Sequence, residues 1–159
     1  MAQTYDAIAS YTFGSAASSY TFSSLPASWT DLILVISGTC TTSAQNINLT
    51  FNGDTGTNYS RTYLNAVTSA GSGRDSNQSK IYVAYFGTSQ GSCIINVFNY
   101  ANSTTYKTVL ARNNMDSTAL DAKVGLWRST AAITSLTLTA DSTSMAANTT
   151  LTLYGVKSA

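Results

Sequence analysis

Apolar residues recur at every second position through most of this chain, and Ser or Thr fill many of the positions between them. A period of two belongs to strands, whose side chains point alternately to opposite faces. Ile47, Leu49 and Phe51 alternate with Asn48 and Thr50, and Leu136, Leu138, Leu151 and Leu153 stand against threonines. Within residues 92–100, Ile95 and Val97 fall on one face and Ile94 and Phe98 on the other. Residues 31–37 are apolar at consecutive positions, as expected of a central strand covered on both faces or crossing the middle of a sandwich. No stretch spaces its apolar residues by three and four over three turns, so helices are nearly absent from the expectation.

Strands are accordingly predicted over residues 5–13, 19–22, 31–37, 47–51, 61–67, 80–86, 92–100, 106–112, 122–128, 133–139 and 149–156. Turn chemistry separates them. Gly14 begins a small-residue turn, and Pro26 stops the second strand because proline cannot donate to a ladder. Residues 52–56, Asn-Gly-Asp-Thr-Gly, tolerate positive φ and read as a surface loop. Residues 68–79 are rich in Gly, Ser and Asn with Ala70 as their one apolar anchor, and are expected to be a mobile or partner-ordered loop. Residues 113–121 leave room for one turn of helix. About ten short strands without helices imply an all-β fold, an antiparallel two-sheet sandwich of jelly-roll-like type, with a closed barrel as the alternative. No linker, heptad or second compositional regime is visible, so residues 1–159 read as a single domain.

Composition narrows the function. The hydrophobic fraction of 43% excludes a disordered chain, and no apolar run approaches membrane-spanning length. Eight basic residues face seven acidic ones for a net charge of +1, and the basic residues are scattered, which argues against nucleic acid as a partner. The first residues lack a basic segment followed by an apolar stretch, so no signal peptide is seen and synthesis in a cytoplasm is expected. Cys40 and Cys93 both sit in or beside apolar strand-like runs and are expected to be buried free thiols. The Asn-x-Ser/Thr triplets at Asn48, Asn58, Asn77, Asn102 and Asn148 follow from a composition so rich in these residues.

Catalytic chemistry finds little to work with. The chain has no His and no Glu, so a serine nucleophile lacks its usual base. Seven aspartates could supply a carboxylate pair, but most sit in turn-like settings. Residues 52–58 carry side-chain oxygens at alternate positions, as calcium loops do, yet hold one carboxylate and no downstream Glu. Residues 71–74, Gly-Ser-Gly-Arg, lack the strand-to-helix setting of a phosphate cradle. The expectation is a non-enzyme without cofactor or metal. Ten tyrosines are more suggestive, because Tyr combines a flat apolar ring with a polar tip and suits interfaces and sugar-binding surfaces. Tyr59, Tyr63 and Tyr106 lie near predicted loops, although sheet packing would use them equally well.

Four segments together carry a resemblance: residues 17–26 running into 30–35; Phe51-Asn52-Gly53-Asp54 with Asn58-Tyr59-Ser60; Val97-Phe98-Asn99-Tyr100; and residues 132–136 followed by Leu153-Tyr154-Gly155-Val156. They resemble the small β-sandwich virion proteins of tailed bacteriophages, notably those of cyanobacteria and marine bacteria. What the resemblance implies is a structural role in the virion. The first expectation is a capsid decoration (cement) protein bound to the major capsid protein, acting as a homo-oligomer, with a trimer favoured. The alternative is a tail-fibre or adhesin module that holds host surface polysaccharide. On the capsid view Tyr5 and the loop containing Arg74 are the candidate partner contacts, on the adhesin view loop aromatics such as Tyr59 and Tyr63 are, and Tyr106 completes the candidate set.

Overall fold

The computed structural model describes residues 5–42, 45–67, 69–116 and 119–157. Thr68, at the start of the expected loop, the middle of the expected helical turn at 117–118 and the first four residues of the N-terminal segment lie outside the described residues. Among the described residues there are twelve strands and no helix: β1 (Tyr5–Thr12), β2 (Ser19–Phe22), β3 (Asp31–Gly38), β4 (Gln45–Phe51), β5 (Tyr59–Ala66), β6 (Ala70–Gln78), β7 (Ile81–Phe86), β8 (Gly91–Val97), β9 (Lys107–Met115), β10 (Ala119–Trp127), β11 (Leu136–Ala140) and β12 (Thr150–Val156).

The strands form two antiparallel sheets, one of eight strands in the order β1-β12-β3-β8-β9-β10-β5-β6 and one of four in the order β2-β11-β4-β7. Eight of them make four nested pairs, β1 with β12, β2 with β11, β3 with β8 and β4 with β7, which alternate between the sheets. That wrapping is the jelly-roll sandwich. The other four arrive as two hairpins, β5-β6 after β4 and β9-β10 after β8. Both join the large sheet and extend it beyond the wrap.

Between the sheets lies the core expected from the alternation. Leu32, Leu34 and Ile36 of β3, Ile47, Leu49 and Phe51 of β4, Ile95 and Val97 of β8, Leu136 and Leu138 of β11, and Leu151 and Leu153 of β12 are all buried. Each such aliphatic or aromatic side chain contributes about 1.5–3 kcal/mol by leaving water. The turn Phe51 to Asp54 carries positive φ at both Asn52 (52°) and Gly53 (67°), with the Asp54 N–H donating to the Phe51 carbonyl at 2.8 Å. A non-glycine residue accepts that conformation most readily when it is Asn.

Residues 31–37 fit the second of their two readings, a strand crossing the middle of the sandwich, and not the first: Ile33 and Val35 point to the outer side of the large sheet, where they are half-buried. Two expectations need correction. Most of the stretch 68–79 is strand β6, because its backbone pairs with β5 even though its small polar side chains bury little. Residues 113–115 and 119–121 belong to the paired ends of β9 and β10 rather than to a helical turn.

Candidate functional site

Strand β10 is patterned inside out. Its core-facing positions hold Ala119, Asp121, Lys123, Gly125 and Trp127, whereas Leu120 (63% exposed) and Val124 (50%) face solvent. The pattern continues into its neighbours. Leu64 of β5 is 64% exposed and Ile94 of β8 is 41% exposed, and the outward positions of β9 include Leu110 and Arg112. Cross-strand register makes these residues contiguous: Val35 opposes Ile94, Ile94 opposes Arg112, Arg112 opposes Ala122 and Ala122 opposes Leu64. An apolar band, interrupted by Arg112, therefore crosses the outer face from β3 to β5, with Thr152 and Ser72 at its two ends.

Two hollows shape that band. One, of about 490 Å³, is bounded by Leu64, Ala66, Ala70, Leu120, Ala122 and Arg112. The other, of about 440 Å³, is bounded by Tyr5, Ile33, Val35, Ile94, Arg112 and Tyr154. Arg112 borders both, and with Arg74 it supplies the charge on the outward positions of β8, β9, β10, β5 and β6. Eight strands at about 4.8 Å spacing and some seven residues at about 3.3 Å give a face of roughly 900 Å². A standard protein–protein interface takes about 800 Å² from each partner, so this face suffices for one.

The inner side of the added hairpins mixes buried apolar residues such as Val109 and Trp127 with polar ones. The edge strand β7 and the inner face of β5 and β10 enclose a groove of about 290 Å³ bounded by Asn46, Arg61, Tyr63, Asn65, Tyr85, Asp121 and Lys123. Its charges are matched within the fold. Arg61 Nε donates to Asp75 Oδ2 at 2.6 Å while its guanidinium lies 4.6 Å from the Tyr63 ring centre and 4.4 Å from that of Tyr82. Lys123 Nζ donates to Asp121 Oδ2 at 2.7 Å, with both side chains almost wholly buried. Burial pushes the Lys123 ammonium below its usual range, and the hydrogen bond and charge of Asp121 oppose that shift. Lys107 is enclosed likewise, its Nζ donating to the carbonyls of Thr105 and Thr130, and burial lowers its pKa too.

The five residues singled out in the sequence do not converge. Tyr5, 59% exposed, opens β1 at one edge of the large sheet, and Arg74 stands on β6 at the other, about 34 Å away across seven strand spacings. Tyr5 borders the second outer hollow. Tyr63 is half-buried on the opposite, groove side, and Tyr106, 54% exposed, precedes β9 outside these hollows. Tyr59 is fully buried; its hydroxyl accepts from the Phe51 N–H at 3.0 Å and donates to the Asp54 carbonyl at 3.1 Å. It packs the core and offers no ring to a ligand. The residues of the apolar band that the sequence reading passed over, Leu64, Leu120 and Val124, carried one available signal: Leu120, Val124 and Leu126 share a parity opposite to Asp121 and Lys123 and to the large ring of Trp127.

The remaining chemistry-bearing residues are engaged internally. Asp54 accepts from Trp127 Nε1 (2.7 Å), Asn58 Nδ2 (3.0 Å) and the Gly56 N–H (2.8 Å), and Asn52 bonds to Ala132, Thr134 and Ser135, so the side-chain oxygens of Asn52 and Asp54 are taken up within the fold. Burial raises the Asp54 pKa, but those hydrogen bonds outweigh it and hold the carboxyl below its ordinary range. Asp6 is bound by Trp29, Asp75 by Arg61 and Asp141 by Lys80. Among the described residues no three His, Cys, Asp or Glu side chains gather as a metal would require. Cys40 and Cys93 are buried free thiols as expected, their pKa values pushed up by burial to about 11 and about 12. No protein-family model and no curated protein matches the chain.

Proposed function

We propose that this chain is a non-enzymatic virion protein of a tailed bacteriophage, a capsid decoration protein that docks on the assembled shell through the outer face of its large sheet. The observation that carries the docking surface is the inside-out band of Leu64, Ile94, Leu120 and Val124. Exposed apolar side chains gathered on one face of a folded chain are a feature of interaction surfaces. The virion setting comes from the sequence resemblance. The partner, the major capsid protein, would present an apolar ridge flanked by carboxylates, matching the two hollows and the charges of Arg112 and Arg74.

The mechanism is mechanical. A ligand that binds only the assembled lattice stabilises it by mass action, and a trimer placed at a symmetry junction would engage three capsid subunits at once. The test is co-sedimentation of the purified chain with expanded, undecorated capsids, and with Leu120→Asp/Val124→Asp in parallel. Saturable binding by the wild type and its loss in the double variant are expected. A wild-type chain that ignores capsids yet binds host cells would overturn the proposal in favour of the adhesin alternative.

A further inference from the structure

Beneath the apolar band, three polar side chains share one buried spot. Lys123 Nζ lies 2.7 Å from Asp121 Oδ2 and 3.4 Å from Asn113 Oδ1, and the three residues are 4%, 5% and 3% exposed. Asp121 and Asn113 are direct partners across the β9-β10 ladder, and Lys123 follows two residues later on the same inner face. The Asn113 carboxamide is held by its Nδ2 donating to the Tyr85 carbonyl at 3.3 Å. In a chain with 9% charged residues this placement is costly, since well-packed apolar residues in place of a buried ion pair are often neutral or stabilising. Packing alone gives no reason for it.

An amine beside a carboxamide, with a carboxylate in contact, is the reacting set for amide exchange. We propose that Lys123 and Asn113 join spontaneously in an intramolecular isopeptide bond, with Asp121 carrying the proton. Asp121 takes a proton from the Lys123 ammonium, and the neutral Nζ attacks Asn113 Cγ. The Cγ–Nδ2 bond then breaks. A second Nζ proton is relayed through Asp121 to Nδ2, which leaves as ammonia. One ammonium, one carboxylate and one carboxamide become one secondary amide, one carboxylic acid and one ammonia, so atoms and charge balance and no oxidant is needed.

Physical chemistry favours this direction in three ways. Two buried charges disappear, which relieves their desolvation cost. The amine already lies 3.4 Å from the carboxamide oxygen, with both residues buried on paired strands, so little entropy remains to be lost. Burial also lowers the Lys123 pKa, which eases formation of the free amine. Asp121 and Lys123 border the groove under β7, which gives ammonia an exit. The product would tie the two strands of the added hairpin and close a ring from residue 113 to 123, restricting the unfolded chain as a disulfide does. The inference is independent of the capsid proposal, because it concerns the isolated chain.

Intact-mass spectrometry of the full, denatured chain tests it. The expected mass is lower than that of the sequence by one ammonia, with a branched peptide joining the segments around Asn113 and Lys123 and no tryptic cleavage after Lys123. Asn113→Ala and Lys123→Met should restore the full mass, and Asp121→Asn should leave the pair unreacted. Should these variants fold poorly, the wild type decides alone. Full sequence mass in the folded wild type, with Asn113 and Lys123 in separate peptides, overturns the inference. So does an ammonia loss that maps to a succinimide at Asn52-Gly53 and opens in mild base.

Discussion

Replacing Tyr59 by Phe removes one oxygen and leaves the core volume almost unchanged, which makes it a sharp test of the core assignment. The ring would keep its stack on Trp127, 6.3 Å between centres at 15°, and its contact with Phe51. What it loses is the acceptor for the Phe51 N–H and the donor to the Asp54 carbonyl, in a residue with no solvent exposure. An orphaned buried N–H costs about 1–3 kcal/mol, because water cannot replace the lost partner. For a chain of this size each kcal/mol lowers Tm by about 2–4 °C. Burial has pushed the Tyr59 phenol up to about 12, so the hydroxyl is present as a donor throughout the neutral range. Urea unfolding followed by tryptophan fluorescence should show a lower midpoint at unchanged m, which isolates a stability change from a change in compactness. Tyr106→Ala, on the surface, should stay within about 0.5 kcal/mol of wild type. A Tyr59→Phe variant equally close to wild type would refute the buried hydrogen-bond account.

Two further outcomes follow from the other buried groups. Neither Cys40 nor Cys93 should react with a thiol reagent in the native state at neutral pH, since burial leaves the thiolate scarce and unreachable, whereas both should label in denaturant; rapid native labelling of either would contradict its placement. Asp54 has a folded pKa below its value of 3.8 in the open chain, so its stabilising contribution is complete above that value and is lost as pH falls through the lower folded pKa. Asp54→Asn should therefore flatten the acid limb of the stability curve below about pH 4, and an unchanged acid limb would show that the hydrogen bonds from Trp127 and Asn58 do not favour the ionised form.

How much of this was legible in the sequence depended on where apolar parity and burial agree. For the jelly-roll wrap they agree, and strands such as 19–22 and 31–38 fall within a residue of expectation. β6 escaped because its side chains, Ala-Gly-Ser-Gly-Arg-Asp-Ser-Asn-Gln, carry no strand signal; the ladder to β5 makes it a strand. Its Gly73 lies under the Tyr63 ring, where a Cβ would stand 2.5 Å from the hydroxyl, so the glycine that suggested a loop leaves room for a cross-strand ring. Tyr59 was misplaced for a related reason: a tyrosine beside a polar loop looks exposed, and nothing in one sequence shows that its hydroxyl would serve the backbone of the preceding strand. The apolar band and the Lys123 cluster showed in the sequence only as a split in parity along residues 119–127, because which parity of β9 and β10 faces inward is decided across the sheet.

What decides it bears on function. A one-residue slip of β10 would turn Leu120, Val124 and Leu126 into the core and release Asp121 and Lys123 to water. At about 1.5–3 kcal/mol for each aliphatic side chain, burial alone would favour that slip by several kcal/mol. The observed register is held by its far end. Trp127 packs on Tyr59 and Phe51 and donates to Asp54, and Gly125 lies under Ile81, where a Cβ would come within 2.8 Å of the Ile81 side chain. Any larger residue delivered to that position by a slip would collide with Ile81. A strand pinned against its own hydrophobic preference places aliphatic surface outside and an ion pair inside. Each half of that inversion is destabilising to the isolated domain, and the two proposals answer one half each, a protein partner the outer half and amide exchange the inner half. The two are separable: an unbound chain lacking ammonia loss would leave the inner half unexplained, and a cross-linked chain indifferent to capsids would leave the outer half so.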